Sequence, residues 1–189
     1  MNQKKLLCGL IGVGIQRSLT PAMQEEEARA QGLRLHYQLI DLDRSGQGVD
    51  VALKVLPTLI AAAKMMGFAG LNITYPCKQA VIPLLDALSD EARAMGAVNT
   101  VVFREGKAFG HNTDGSGWRW GFERTLPDAD LSRVVLLGAG GAGSAIAHSV
   151  CRMKAQSLVI VDSNGERADA LAAELNKQYG GSRVSGSTD

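Results

Sequence analysis

An excess of charge of either sign is missing: 20 Lys and Arg stand against 19 Asp and Glu, for a formal net charge of +1. Charges balanced and interspersed in this way leave no electrostatic footprint for a nucleic acid or an anionic membrane, so any anionic ligand has to be bound locally. Cysteine is scarce as well. Cys8, Cys77 and Cys151 are odd in number, far apart and without a Cys-x-x-Cys pair, which points away from a disulfide framework or thiolate metal site and fits a reducing cytoplasm. His36, His111 and His148 are too scattered for metal-ligand spacing, and no metal is expected. No apolar run is long enough to cross a bilayer. The short one at residues 6–11 follows two lysines but contains glycine and precedes no export cleavage site, so a buried strand is expected there. Gly-x-Ser-x-Gly and Gly-x-x-x-x-Gly-Lys-Ser/Thr are absent, which removes the motif support for a hydrolase elbow or a nucleoside-triphosphatase loop.

Glycine is plentiful, at 22 residues, and six positions around it organise the chain. Gly138, Ala139, Gly140, Gly141, Ala142 and Gly143 give the spacing Gly-x-Gly-x-x-Gly directly after the apolar run at residues 134–137. A strand, a tight turn and a helix start in that order suit a pyrophosphate: Gly138 permits the turn, Gly140 lets the backbone approach, and Gly143 lets helix and strand pack closely. A second strand over 157–161 ends on Asp162, about 20 residues beyond the glycines. An acid there can accept from the adenosine ribose hydroxyls of NAD and repels the 2′-phosphate of NADP, so NAD is expected in preference, with NADP as the other possibility.

The remaining elements alternate. Strands are expected over 6–11, 35–40, 70–74 and 97–103, with a hairpin turn at Glu105-Gly106. Helices are expected from Thr20-Pro21, with Thr20 as cap and Glu25, Glu26 and Glu27 early in the dipole field. Others follow over 51–66, with Pro57 starting a new first turn, and over 79–88. A helix carrying Trp118, Trp120 and Phe122, packing residues at a domain junction, leads to a linker over 127–131. This is an α/β chain with an N-terminal α/β unit over 1–112. A connecting helix and linker over 113–131 join it to the first half of a Rossmann-type domain over 132–189. Only one of the two strand-helix-strand halves of such a domain is supplied, with a third strand starting near 182–185. An uncovered sheet edge in this half invites association, with a homodimer as the expected form.

Three stretches, GVGIQRSLTP, GLNITYPCKQ and GAVNTVV with GHNTDGSGW close behind, together resemble the shikimate dehydrogenase family, most closely its quinate/shikimate branch. With the glycine turn they cover residues 6–180, and the resemblance implies that the N-terminal α/β unit over 1–112 is the substrate-binding domain. The resemblance implies that Ser18 and Thr20 hold a substrate carboxylate, although the family commonly has Ser in place of Thr20, Pro in place of Gly14 and His in place of Arg17. A threonine keeps the donor and adds a methyl group, and Arg17 is either a further cation for an acid substrate or a solvated loop residue. The family's Asn-x-Thr-x-Pro-x-Lys falls on Asn72, Thr74, Pro76 and Lys78. Asn99 corresponds to a further substrate-binding asparagine.

Lys78 and Asp114 correspond to the two catalytic residues, an ion pair that moves and fixes the hydroxyl proton while hydride leaves the same carbon for a nicotinamide. A lysine just after a strand and beside an apolar helix can be desolvated, as that role requires. The implied activity is reversible NAD(P)-dependent oxidation of shikimate or quinate to the 3-dehydro ketone, within the shikimate pathway of aromatic amino acid biosynthesis. The alternative is a truncated chain that binds substrate or cofactor with little or no turnover, since the family's later residues around the nicotinamide are not in this sequence.

Overall fold

The computed structural model describes residues 4–43, 46 and 48–189. These form two compact units, Met1–Asn112 and Thr113–Asp189.

The first unit is a six-stranded sheet in the order β2-β1-β3-β5-β6-β4. Strands β1 (Lys5–Gly12), β2 (Arg34–Asp41) and β3 (Gly70–Ile73) are parallel. Strands β5 (Thr100–Arg104) and β6 (Lys107–His111) make an antiparallel hairpin beside β3, and the two-residue β4 (Ala87–Leu88) borders β6. Alternate side chains enter different clusters, as the period of two in a strand requires. Ile11, Leu71, Ile73 and Val101 pack with Leu56, Ile60 and Ala63 of helix α2 (Val49–Met65), while Leu10 and Tyr37 pack with Ile15.

Several expected elements differ in the structure. Helix α1 (Thr20–Ala30) has Leu19 at its cap position, so Thr20 is its first residue; the glutamates fall in mid-helix, and no acid lies in the first turn. Glu25 instead accepts the Tyr37 N–H at 2.9 Å, and Glu26 pairs with Arg29 at 2.6 Å. Pro57 is interior to one continuous α2. It sits on the exposed face, and burial of Ala52, Leu56, Ile60 and Ala63 on the opposite stripe, at ~1.5–3 kcal/mol for each large side chain, offsets the lost hydrogen bond. The expected helix over 79–88 is instead the four-residue α3 (Cys77–Ala80), a 3₁₀ turn at Ile82–Leu84 and then β4; Pro83 lacks the N–H that would continue a helix. Strand β5 starts at Thr100 rather than residue 97. The turn-rich stretch of sequence over 41–48 includes residues 44, 45 and 47, which lie outside the described residues.

The second unit begins with α5 (Asp114–Thr125) and continues through β7 (Val134–Leu137), α6 (Gly141–Arg152), β8 (Leu158–Val161), α7 (Gly165–Tyr179) and β9 (Val184–Ser187). Its sheet is parallel in the order β7-β8-β9. Trp118 stacks on Phe122 with centroids 4.9 Å apart and packs against this unit's own core. Trp120 does not pack: it is 67% exposed, with the Arg124 guanidinium 5.3 Å from its ring. On β7, Val135 and Leu137 are exposed.

Candidate functional site

The loop after β1 is held by the acid that ends β2. Asp41 accepts from the Gly14 N–H and from Gln16 Nε2, each at 3.1 Å. This presents Ser18 half-buried beside Thr20; the Ser18 hydroxyl donates to Thr20 Oγ1 at 2.9 Å and accepts the Thr20 N–H at 3.2 Å. The loop after β3 lies alongside, because the Val13 N–H donates to Tyr75 O and the Thr74 N–H to Ile11 O, both at 2.9 Å. Four residues further on, Lys78 is half-buried in α3, and its carbonyl accepts the Val98 N–H at 2.8 Å. That bond fixes the segment carrying Asn99, which is 9% exposed and whose carbonyl takes the Ile73 N–H at 2.8 Å.

Main-chain bonds therefore gather Ser18, Thr20, Thr74, Lys78 and Asn99 at the carboxyl ends of β1 and β3, the usual place for ligands in parallel α/β sheets. Asn72, on β3, accepts from the Tyr37 hydroxyl at 2.6 Å and donates to Thr100 at 3.3 Å. Two residues that sequence inspection missed, Tyr37 and Thr100, thus belong to the same polar network. The available signal was weak: a tyrosine inside an alternating strand, and a hydroxyl next to Asn99. Arg17 is exposed in the loop.

Asp114, half-buried at the start of α5, belongs to the second unit, as does the glycine turn. Gly138 has φ +97°, accessible mainly to glycine, and a Cβ on Gly143 would run into the Gly138 carbonyl. Around Gly140 and Gly141 an added Cβ meets nothing within 4 Å, and α6 starts with no side-chain cap. Open space at uncapped amides suits a pyrophosphate. At the end of β8, Asp162 accepts the Ala139 N–H at 2.7 Å and the Asn164 N–H at 2.9 Å. These two amides, Ala139 first, with Arg167 nearby, hold its carboxyl below the usual range. The residues present therefore fit a dinucleotide. Two surface depressions of about 360 and 390 Å³ lie elsewhere, one along Arg119–Lys154 and one around Lys5, Arg34 and His36; no candidate residue lines either.

A polar cluster at the ends of parallel strands in one unit, and a strand, glycine turn, helix and acid in the other, define the class: an α/β protein whose second unit is built like the first part of a Rossmann-type fold. Residues 10–101 match the family described as shikimate dehydrogenase substrate binding domain. The first unit thus carries this family's domain.

The chain is 54% identical over 184 residues to a protein of Streptomyces avermitilis named shikimate dehydrogenase (NADP(+)), covering 97% of this chain and 62% of that one. It is 46% identical over 188 residues to quinate/shikimate dehydrogenase (NAD(+)) of Corynebacterium efficiens, covering 98% and 64%. Quinate dehydrogenase from Corynebacterium glutamicum, solved in complex with NAD, superposes with a TM-score of 0.89 at 46% identity, over 98% of this chain and 64% of that one. The chain thus spans about three-fifths of the length of these relatives. Both dinucleotides appear among their names. Among the described residues, no helix is long and apolar enough to cross a membrane, and no group of three His, Cys, Asp or Glu could hold a metal ion.

Proposed function

We propose that the chain forms the substrate unit and the first part of the nucleotide unit of a quinate/shikimate dehydrogenase, reversibly oxidising a ring hydroxyl of quinate or shikimate to the 3-dehydro ketone. The observation that carries this is the gathering of Ser18, Thr20, Thr74, Lys78 and Asn99 by the bonds that tie the loops after β1 and β3. Ser18 donates to Thr20, which leaves the Thr20 hydroxyl to donate to the substrate carboxylate. Thr74, Asn72 and Asn99 hold ring hydroxyls. Lys78 binds the reacting hydroxyl and moves its proton, and Asp114 is the second catalytic residue.

The amides of residues 138–143 hold the pyrophosphate of NAD(P), and Asp162 the adenosine ribose. When bound, the nicotinamide supplies the hydride acceptor. NAD is the preferred form, because the depressed carboxyl of Asp162 stays ionised and opposes a 2′-phosphate.

The test is an initial-rate assay of reduced nicotinamide with each acid. Turnover that Lys78→Ala lowers by roughly 10² or more is expected. Equal rates in parent and Lys78→Ala contradict the catalytic assignment. Binding of either acid without turnover supports the second reading, favoured by the three-fifths coverage: a chain that binds without catalysing.

A further inference from the structure

Four side chains form a hydrogen-bonded line across the first sheet. The Tyr37 hydroxyl donates to Asn72 Oδ1 at 2.6 Å, Asn72 Nδ2 donates to Thr100 Oγ1 at 3.3 Å, and the Thr100 hydroxyl donates to Asn99 Oδ1 at 2.9 Å. Strand register explains the line. Tyr37 aligns with Cys8, Asn72 with Leu10 two residues along β1, and Thr100 with Asn72. Tyr37, Asn72 and Thr100 therefore leave the same face of the sheet, and the phenol reaches over β1. Tyr37 is 6% exposed, so leaving its hydroxyl unpaired is costly. Burial, with Cys8 nearby, raises the phenol above its ordinary range and keeps it a donor.

The polarity of the line follows from the chemistry of each group. A phenol hydrogen given to Oδ1 turns the Asn72 amide so that its Nδ2 faces Thr100. Thr100, having one hydrogen, gives it to Asn99 Oδ1. Asn99 must then direct its Nδ2, a donor, beyond the line.

We propose that Tyr37 and Thr100 are positioning residues that act through Asn72 and Asn99, fixing the amide orientations with which the site recognises the hydroxyls of a ring carboxylic acid. Neither touches the substrate. The inference rests on the substrate reading above and adds the residues that set its selectivity for hydroxylated rings.

The experiment is isothermal titration of shikimate, quinate and cyclohex-1-ene-1-carboxylate, which lacks ring hydroxyls, into the 189-residue chain. Tyr37→Phe and Thr100→Val are each expected to weaken the hydroxylated acids about 5- to 10-fold and to leave the unhydroxylated acid unchanged. Thr100→Ser, which keeps the hydroxyl, restores binding. Tyr37→Phe added to Asn72→Ala costs nothing further, as for residues acting through one another. A purely structural role predicts equal losses for all three acids and no rescue by serine. If the parent binds a hydroxylated acid and Tyr37→Phe or Thr100→Val does not selectively weaken it, the inference fails and the substrate reading stands. If the parent binds neither hydroxylated acid, both fail.

Discussion

On the proposed function, Asp162 carries two tasks with one carboxylate. Its oxygens accept the Ala139 and Asn164 amides, so it shapes the glycine turn before any ribose arrives. Replacing it with alanine removes the charge and the turn's acceptor together, whereas asparagine removes the charge and keeps an acceptor for Ala139. Asp162→Asn, which keeps the Ala139 bond and loses the Asn164 bond, is therefore expected to lower the melting temperature less than Asp162→Ala does while raising the relative affinity for NADP over NAD roughly tenfold. An unchanged NAD/NADP ratio, measured by fluorescence titration, contradicts the cofactor assignment. The residues of the proposed substrate site were legible through the family resemblance: Ser18, Thr20, Asn72, Thr74, Lys78 and Asn99 stand in its motifs. Tyr37 and Thr100 were not, because a hydrogen bond that crosses β1 depends on the register of three strands, which a linear sequence does not display.

Among the elements, boundaries followed local chemistry closely where glycine or a hairpin set them, and failed where packing overrode propensity. Pro57 was read as a first-turn residue because an interior proline removes a hydrogen bond, yet the buried stripe of Ala52, Leu56, Ile60 and Ala63 carries the helix through it. Its exposed position makes a direct test available. Pro57→Ala is expected to raise the stability of the first unit by about 1–2 kcal/mol, seen as a higher urea midpoint; a lower midpoint means that the proline fits α2 better than its geometry indicates. Helix α4 (Asp90–Met95) was overlooked, although Ser89 caps it by accepting the Ala92 N–H at 3.1 Å and Gly96 ends it at φ +57°. The serine, the two acids and the terminal glycine were all present in sequence, but six residues give too short a period to recognise. Trp120 was assigned to packing on composition alone. Helical phase places Trp118 and Phe122, four apart, together and turns Trp120 away.

Each of the two units has its own core, and the second has a buried polar centre. His148 is fully buried, its Nδ1 lies 3.1 Å from the Tyr179 hydroxyl, and Arg152 Nε reaches the same hydroxyl at 3.4 Å. Desolvation first, and then the charge of Arg152, push the His148 pKa down to about 4. The unfolded chain binds this proton near pH 6.5 and the folded chain only near 4, so the stabilisation is complete above about 6.5 and is lost as pH falls towards 4. The loss amounts to about 3 kcal/mol at most. Denaturant titrations from pH 7 to 4 are expected to show this slope and to show it flattened in His148→Leu; parallel profiles for parent and variant contradict it.

The proposed substrate residues of the first unit can be tested in this chain by itself, whatever the remainder of a longer relative contributes. The most direct measurement is a titration of shikimate and quinate into ¹⁵N-labelled protein, followed by amide chemical shifts. Saturable shifts concentrated at Ser18, Thr20, Thr74, Lys78 and Asn99 are expected, and they should be lost in Lys78→Ala. No shifts with either acid, or shifts confined to other surfaces such as the depression along Arg119–Lys154, contradict the assignment.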